Sequence, residues 1–296
     1  MNEQTHTLEL PGLREDILRD HLATLGMLDW MVSVFSDHNP MLSWSTETGH
    51  PVVHTSHSLP EDWANQLLIA IQGWRSRDPN PLGHGKIEAT NPAMIRTILL
   101  AEEDPRLIRF YCGITSQLAF EKSGRRSELI IESASRSTLK GVNDLLDGSR
   151  NPICLDADLS GRGQKREVSN TSRWHPAEYQ PAAYVATDPQ FNKHQDWVGL
   201  NVLALFGTAF YPVIDTGKGR QTIGFRRIGR TTEFSWPAWK SPLGLEEVRA
   251  LTGHPVCHQD EPDRATLSRL GIHRLWRTRK FKPDGNNDYF STARIA

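Results

Sequence analysis

The sequence has no run of roughly 18 uninterrupted apolar residues, so no membrane-crossing helix is expected. Its first residues, Met1 to His6, lack a basic start followed by an apolar stretch, so no secretory leader is expected and a cytoplasmic location is anticipated. Cysteine is scarce. Cys112, Cys154 and Cys257 are odd in number and far apart, which suits free thiols in a reducing compartment rather than a disulfide framework. No Cys-x-x-Cys pair occurs, and the His254–His258 segment, interrupted by Pro255, does not offer the paired ligand spacings of a zinc site. The Gly217-Lys218-Gly219 segment lacks both the hydroxyl residue after the lysine and the earlier glycine of a phosphate-cradling loop, and it reads as a hairpin turn with basic tips. There is no Gly-x-Ser-x-Gly nucleophile elbow. No metal site, cofactor or catalytic residue set is therefore expected.

What is present is a hidden charge asymmetry. The formal charge is −1. From Lys218 to the end there are 15 Lys/Arg against 8 Asp/Glu, while the rest of the chain has an acidic excess. The basic residues gather in two runs, 224–230 and 273–282, with aromatic residues between them. Clustered cations neutralise phosphates and interleaved rings can stack on bases. The candidate phosphate contacts are Lys165, Arg166, Lys218, Arg220, Arg226, Arg227, Arg230, Arg274, Arg277, Arg279, Lys280 and Lys282. The candidate stacking rings are Phe225, Trp239, Trp276 and Phe281, and Trp239 and Trp276 fit a core position equally well. A strand with solvated basic residues on one face would show the same pattern.

Apolar periodicity predicts a helix over 14–35, with Gly26 inside it at a cost of about 1 kcal/mol against alanine, which a close packing contact would explain. Short strands are predicted at 41–44 and 51–54, and helices at 60–75 and 91–103. Strands are expected at 107–112 and 128–132, and a short helix at 138–146. The polar segment 156–170 reads as a loop or linker. A core helix is predicted over 197–210, strands around Phe225 and Phe234, helices at 245–251 and 264–270, and a strand at 272–281. This order predicts an α+β fold: N-terminal helices with short strands, then a mixed basic sheet with short helices. It can be divided into domains at 1–155 and 171–296, or read as one continuous domain.

Three stretches, in order, resemble a known family. They are Leu10–Leu13 with Leu22–Leu28, then Arg173–Tyr184, then Leu205–Val213 followed by Thr222–Phe225, Trp236–Leu251 and Gly271–Arg279. Together they are similar to small CRISPR-associated proteins of type I-G (I-U) loci, which are related to large-subunit-like and helicase-nuclease-extension proteins. Asp29 stands where that pattern has a basic residue, and Tyr179-Gln180-Pro181 replaces its acid and arginine. The resemblance implies a non-catalytic subunit of an RNA-guided effector complex. Its partners would be other effector subunits and guide RNA or target DNA near the recognition motif, since such systems leave sequence reading to base pairing. The alternatives are an adaptor that recruits the helicase-nuclease, and a metal-dependent nuclease using Asp156 and Asp158, which share a face if that segment is extended.

Overall fold

The computed structural model describes residues 5–77, 104–115, 127–130, 142, 146, 153–168, 172–178, 194–216, 220–229, 231–282 and 288–296. The fold is α+β. Its centre is α1 (Leu18–Val34), buried on every side from Leu18 to Met31 rather than along one stripe. Against it lies α5 (Val198–Gly207), also buried throughout. The two helices cross at glycines. A Cβ on Gly26 would meet the Leu203 carbonyl oxygen at 2.0 Å, and one on Gly207 would meet the Leu22 carbonyl oxygen at 1.9 Å. The close contact expected of Gly26 is thus present and reciprocal.

Helix α1 starts at Leu18 rather than near Arg14, because the segment before it is pinned elsewhere. The Glu15 amide donates to the Gly49 carbonyl (3.0 Å) and its carbonyl accepts from Trp236 Nε1 (2.8 Å). An antiparallel three-stranded sheet of β1 (His6–Glu9), β3 (Pro51–Thr55) and β2 (Met41–Trp44) flanks this segment. Helix α2 (Trp63–Arg75) buries Leu67, Leu68, Ile71 and Trp74.

The strand expected at 107–112 is instead α3 (Pro105–Ile114). The Asp104 carboxylate accepts from the Arg106 and Leu107 amides (3.0 and 3.3 Å), Pro105 opens the helix, and Leu107, Phe110, Tyr111 and Ile114 bury one face at helical spacing. Residues 128–130, expected in a strand, form a turn, and 131–132 lie outside the described residues. The helix expected at 91–103 also lies outside them. So does most of 138–146, of which Val142 and Leu146 are helical. Within 156–170, the expected loop, the chain forms α4 (Leu155–Leu159) and β4 (Arg166–Val168), the latter paired with β5 (His194–Asp196).

A further antiparallel pair joins β6 (Val213–Asp215) to β7 (Arg220–Thr222). The largest sheet runs β11 (Tyr289–Phe290), β10 (Ile272–Phe281), β9 (Thr231–Trp239), β8 (Phe225–Ile228), and β12 (Arg294–Ile295) also pairs with β10. Helices α6 (Leu245–Thr252) and α7 (Arg264–Arg269), with a 3-10 turn at Pro255–His258 between them, accompany it. One hydrophobic core draws on both halves of the described chain: Leu22 and Trp44 belong to it together with Leu203, Trp236 and Val248. The Leu42–Leu243 bridge ties the first sheet to the chain leaving the last.

Candidate nucleic-acid interface

Strand alternation sorts the basic runs between two faces of the large sheet. Phe225, Phe234, Trp236 and Ala238 point into the core. On the opposite face, register places Arg226 and Arg279 on either side of Glu233. The buried Glu233 carboxylate accepts from Arg226 Nη2 (2.7 Å) on one oxygen, and from Arg279 Nε (3.0 Å) and Arg294 Nη2 (2.8 Å) on the other. Burial alone would raise this carboxyl's pKa, but the hydrogen bonds and charges of the three arginines outweigh it and hold the group below the usual carboxylate range.

Arg226 is nearly enclosed, and its second nitrogen reaches Asp260 Oδ1 (2.7 Å). Arg277 is buried and donates to the Asp260 carbonyl (2.8 Å) and the Gln259 carbonyl. The phosphate contact expected of Arg277 is therefore corrected: its guanidinium fastens the 259–260 segment onto the sheet and presents no open face. Arg226 has the same structural duty. Arg279 and Arg294 differ, with 54 % and 58 % of their side chains exposed.

The other cations are distributed around this centre. Arg274 pairs with Glu15, which also accepts from His273 Nε2 (2.9 Å), so the basic run closes onto the segment that precedes α1. Burial raises the Glu15 carboxyl's pKa, and His273 and Arg274 more than reverse this. Lys280 is largely buried, donates to the Glu128 carbonyl (2.7 Å) and faces Asp288 (3.4 Å); burial lowers its pKa. Lys282 is 55 % exposed and 3.8 Å from Asp288. Arg227 is exposed and donates only to the Gly229 carbonyl (3.3 Å) among the described residues. Lys218, Arg230 and the Arg220 side chain lie outside the described residues.

The stacking assignments need correction. Trp239 is fully buried, with Nε1 donating to the Leu42 carbonyl (2.8 Å), and Phe225 is buried against Phe234 (ring centroids 4.8 Å apart). Neither ring has a face open to a base. Trp276 is half-buried and packs against the core, and Phe281 is half-buried beside Tyr289 (6.2 Å).

Lys165 is exposed, and its ammonium lies over the Trp197 ring (4.6 Å to the centroid), as does the Arg19 guanidinium (4.8 Å). Arg166 is half-buried in β4. Beneath them is a buried polar network that sequence spacing did not reveal. Arg19 donates to Asp20 (2.6 and 2.8 Å) and Asp196 (2.7 Å), Asn201 donates to Asp196 (2.7 Å), and Ser172 donates to Asn201 (2.9 Å). These groups come from segments up to 177 positions apart, so only the folded chain brings them together.

Asp156 and Asp158 do not share a face, because their segment is helical. Asp156 is exposed and paired with Arg162 (2.9 Å), whereas Asp158 is buried and accepts from the Gly199 amide (2.9 Å). Burial raises the Asp158 carboxyl's pKa. The cation site imagined for this pair is not assembled. Cys257 is buried with its thiol pushed up to about 12, and His254 and His258 bond to nearby backbone groups.

The chain matches no protein-family model and no curated protein sequence.

Proposed function

We propose that the chain is a non-catalytic nucleic-acid-binding subunit, of the RNA-guided CRISPR type I effector kind that its ordered motifs resemble. It grips a phosphate backbone through the face of its C-terminal sheet that lies opposite the core. The observation that carries this reading is the arrangement on Glu233. One buried carboxylate fixes Arg279 and Arg294 by a single hydrogen bond each, and leaves more than half of each side chain exposed. With Arg226 and Arg277 the group holds four positive charges against two, on Glu233 and the exposed Asp260. Pre-oriented planar forks with surplus charge suit phosphate oxygens better than freely rotating side chains do. Arg227 and Lys282 extend the basic surface, and the buried Arg226 and Arg277 hold its floor.

The test is binding of guide-length RNA and of duplex DNA by the purified chain across a salt series. Exchange of both Arg279 and Arg294 for Gln should weaken binding at every salt concentration. It should also reduce the slope of log K against log salt by about 1.4 for single-stranded RNA and about 1.8 for duplex DNA, the share of two phosphate contacts. Unchanged affinity and slope would remove the assignment. If this face instead docks on an acidic protein, the native chain shows no nucleic-acid affinity, and the same double variant releases a partner subunit from a salt-sensitive complex.

A further inference from the structure

Away from the sheet, a second set of arginines converges on a single carboxylate. Asp29, on the far half of α1, is 7 % exposed. Its Oδ2 accepts from Arg106 Nε (3.1 Å), its Oδ1 accepts from Arg249 Nη2 (2.7 Å), and Arg109 Nη2 stands 3.7 Å from the same Oδ1. Arg106 also donates to the Asp29 carbonyl (2.9 Å) and lies over the Trp30 ring at 4.0 Å, which fixes its plane. Helices α1, α3 and α6 each contribute to the cluster, so its geometry is set by packing.

The charges do not balance. Three guanidiniums meet one buried carboxylate; Glu246, paired with Arg249, is 77 % exposed and screened by water, and Asp104, whose charge also reaches Arg106, is already paired with Arg77. Arg109 is the surplus member. It is 35 % exposed, makes no hydrogen bond among the described residues, and its Nε is buried without an acceptor. Its positive charge bears on both neighbours: burial is the main cause that lowers the pKa of Arg106 and of Arg249, and Arg109 adds to it in each. The Arg249 Nε is likewise buried without an acceptor, and the excess positive charge of the three guanidiniums is a cost that an anion bound at the exposed part of Arg109 would reduce.

We propose that the Arg106–Arg109–Arg249 cluster on Asp29 is a binding site for a terminal phosphoryl group, with the fork of Arg109 as the direct contact and the other two arginines supplying the field. A dianionic phosphate offsets the surplus charge and offers oxygens in the geometry that a guanidinium fork accepts. The source is either free inorganic phosphate or the phosphorylated end of a nucleic-acid strand. This site stands apart from the sheet surface and does not depend on it.

The experiment is a titration of the full chain with inorganic phosphate, followed by calorimetry at constant ionic strength against chloride. Saturable binding is expected, and Arg109→Gln should weaken it by about tenfold. Arg109→Lys, which keeps the charge and loses the fork, should recover only part of the loss. Both variants should fold, because among the described residues the native side chain makes no hydrogen bond and only a 3.7 Å ion pair to Asp29. Arg279→Gln should leave phosphate binding unchanged, which separates this site from the sheet surface. A second arm compares a strand carrying a 5′-phosphate with the same strand ending in a hydroxyl. A gain from the phosphate that disappears in Arg109→Gln identifies the strand end as the source; equal binding of the two strands, beside saturable inorganic phosphate, identifies the free ion. Phosphate heats no greater than those of chloride, or equal in Arg109→Gln and the native chain, would overturn the proposal.

Discussion

His21 illustrates how a single buried residue sets the acid limit of this protein. It is wholly enclosed by Trp44, Tyr211 and Trp236, with Nε2 bonded to the Tyr211 hydroxyl (2.8 Å). Burial pushes its pKa down to about 3. Burial, with the charge of Arg19, pushes His175 to about 4. In the unfolded chain both would titrate near 6.5. A folded-state value below the unfolded one means that the stabilising contribution is complete above about pH 6.5. It drains away as the pH falls, by about 1.4 kcal/mol per pH unit for each histidine. The raised carboxyls of Asp20 and Asp158 act in the opposite direction, so the clean measurement is a difference. Denaturant melts between pH 6 and pH 5 should show a shallower fall for His21→Gln than for the native chain, by about one proton, whatever the variant's stability at pH 7. An identical slope would contradict a neutral buried His21. Asp29 gives a second residue-level expectation. Exchange for Asn should cost roughly 3 kcal/mol, the low end for a broken buried pair, because the orphaned Arg106 and Arg249 are partly exposed. Equilibrium unfolding at pH 7 measures it.

Among elements, the α1–α5 crossing makes the sharpest prediction. Gly26→Ala gains about 1 kcal/mol of helix propensity. It also forces a methyl group against the Leu203 carbonyl, where overpacking costs about 3 kcal/mol, and a backbone atom cannot move aside as a side chain would. The net result should be a destabilised protein with a lower Tm; a Tm equal to or above the native value would mean that the helices do not cross here. Gly26 was also the position at which the sequence was most informative, since an unfavourable residue inside a strong helical pattern signals a packing reason. Strands β9 and β10 and the short helices between them were legible for similar local reasons, whereas the pairing of the two strands was not. Helix α3 was not: its short apolar run reads as a strand until Asp104-Pro105 is given weight as a cap, and that signal was available. The side-chain partners were not legible at all. The arginines of β8 and β10 alternate as a solvated basic strand would, and nothing local announces that Glu233, Asp260 and Glu15 fold onto them. Of the two tryptophans for which stacking and core positions fitted the sequence equally well, Trp239 is a core residue and Trp276 is half-buried.

Over the whole molecule, the near-zero formal charge is produced by opposition between the two halves, and folding brings the opposed charges together. Glu15 from the N-terminal half holds His273 and Arg274, and Asp29 holds Arg249. The basic C-terminal third is thus partly neutralised by the acidic remainder, and its free surface is narrower than its composition implies. On the proposed reading, nucleic acid held at Arg279 and Arg294 on the outer face of the sheet should bind with a salt slope corresponding to a few phosphates rather than to the whole set of basic residues. A slope near that of every basic residue in 224–282 would mean that these ion pairs open on binding.

The aromatic nest around His21 also has an optical consequence. Trp44 comes from the first sheet, Trp236 and Trp239 come from the last, and all three indoles are sealed from water. Their emission in the native protein should be blue-shifted and insensitive to soluble quenchers, and should turn red and quenchable only when the two sheets part. With the other six tryptophans replaced, these three indoles would report on the seam between the two sheets without any added label.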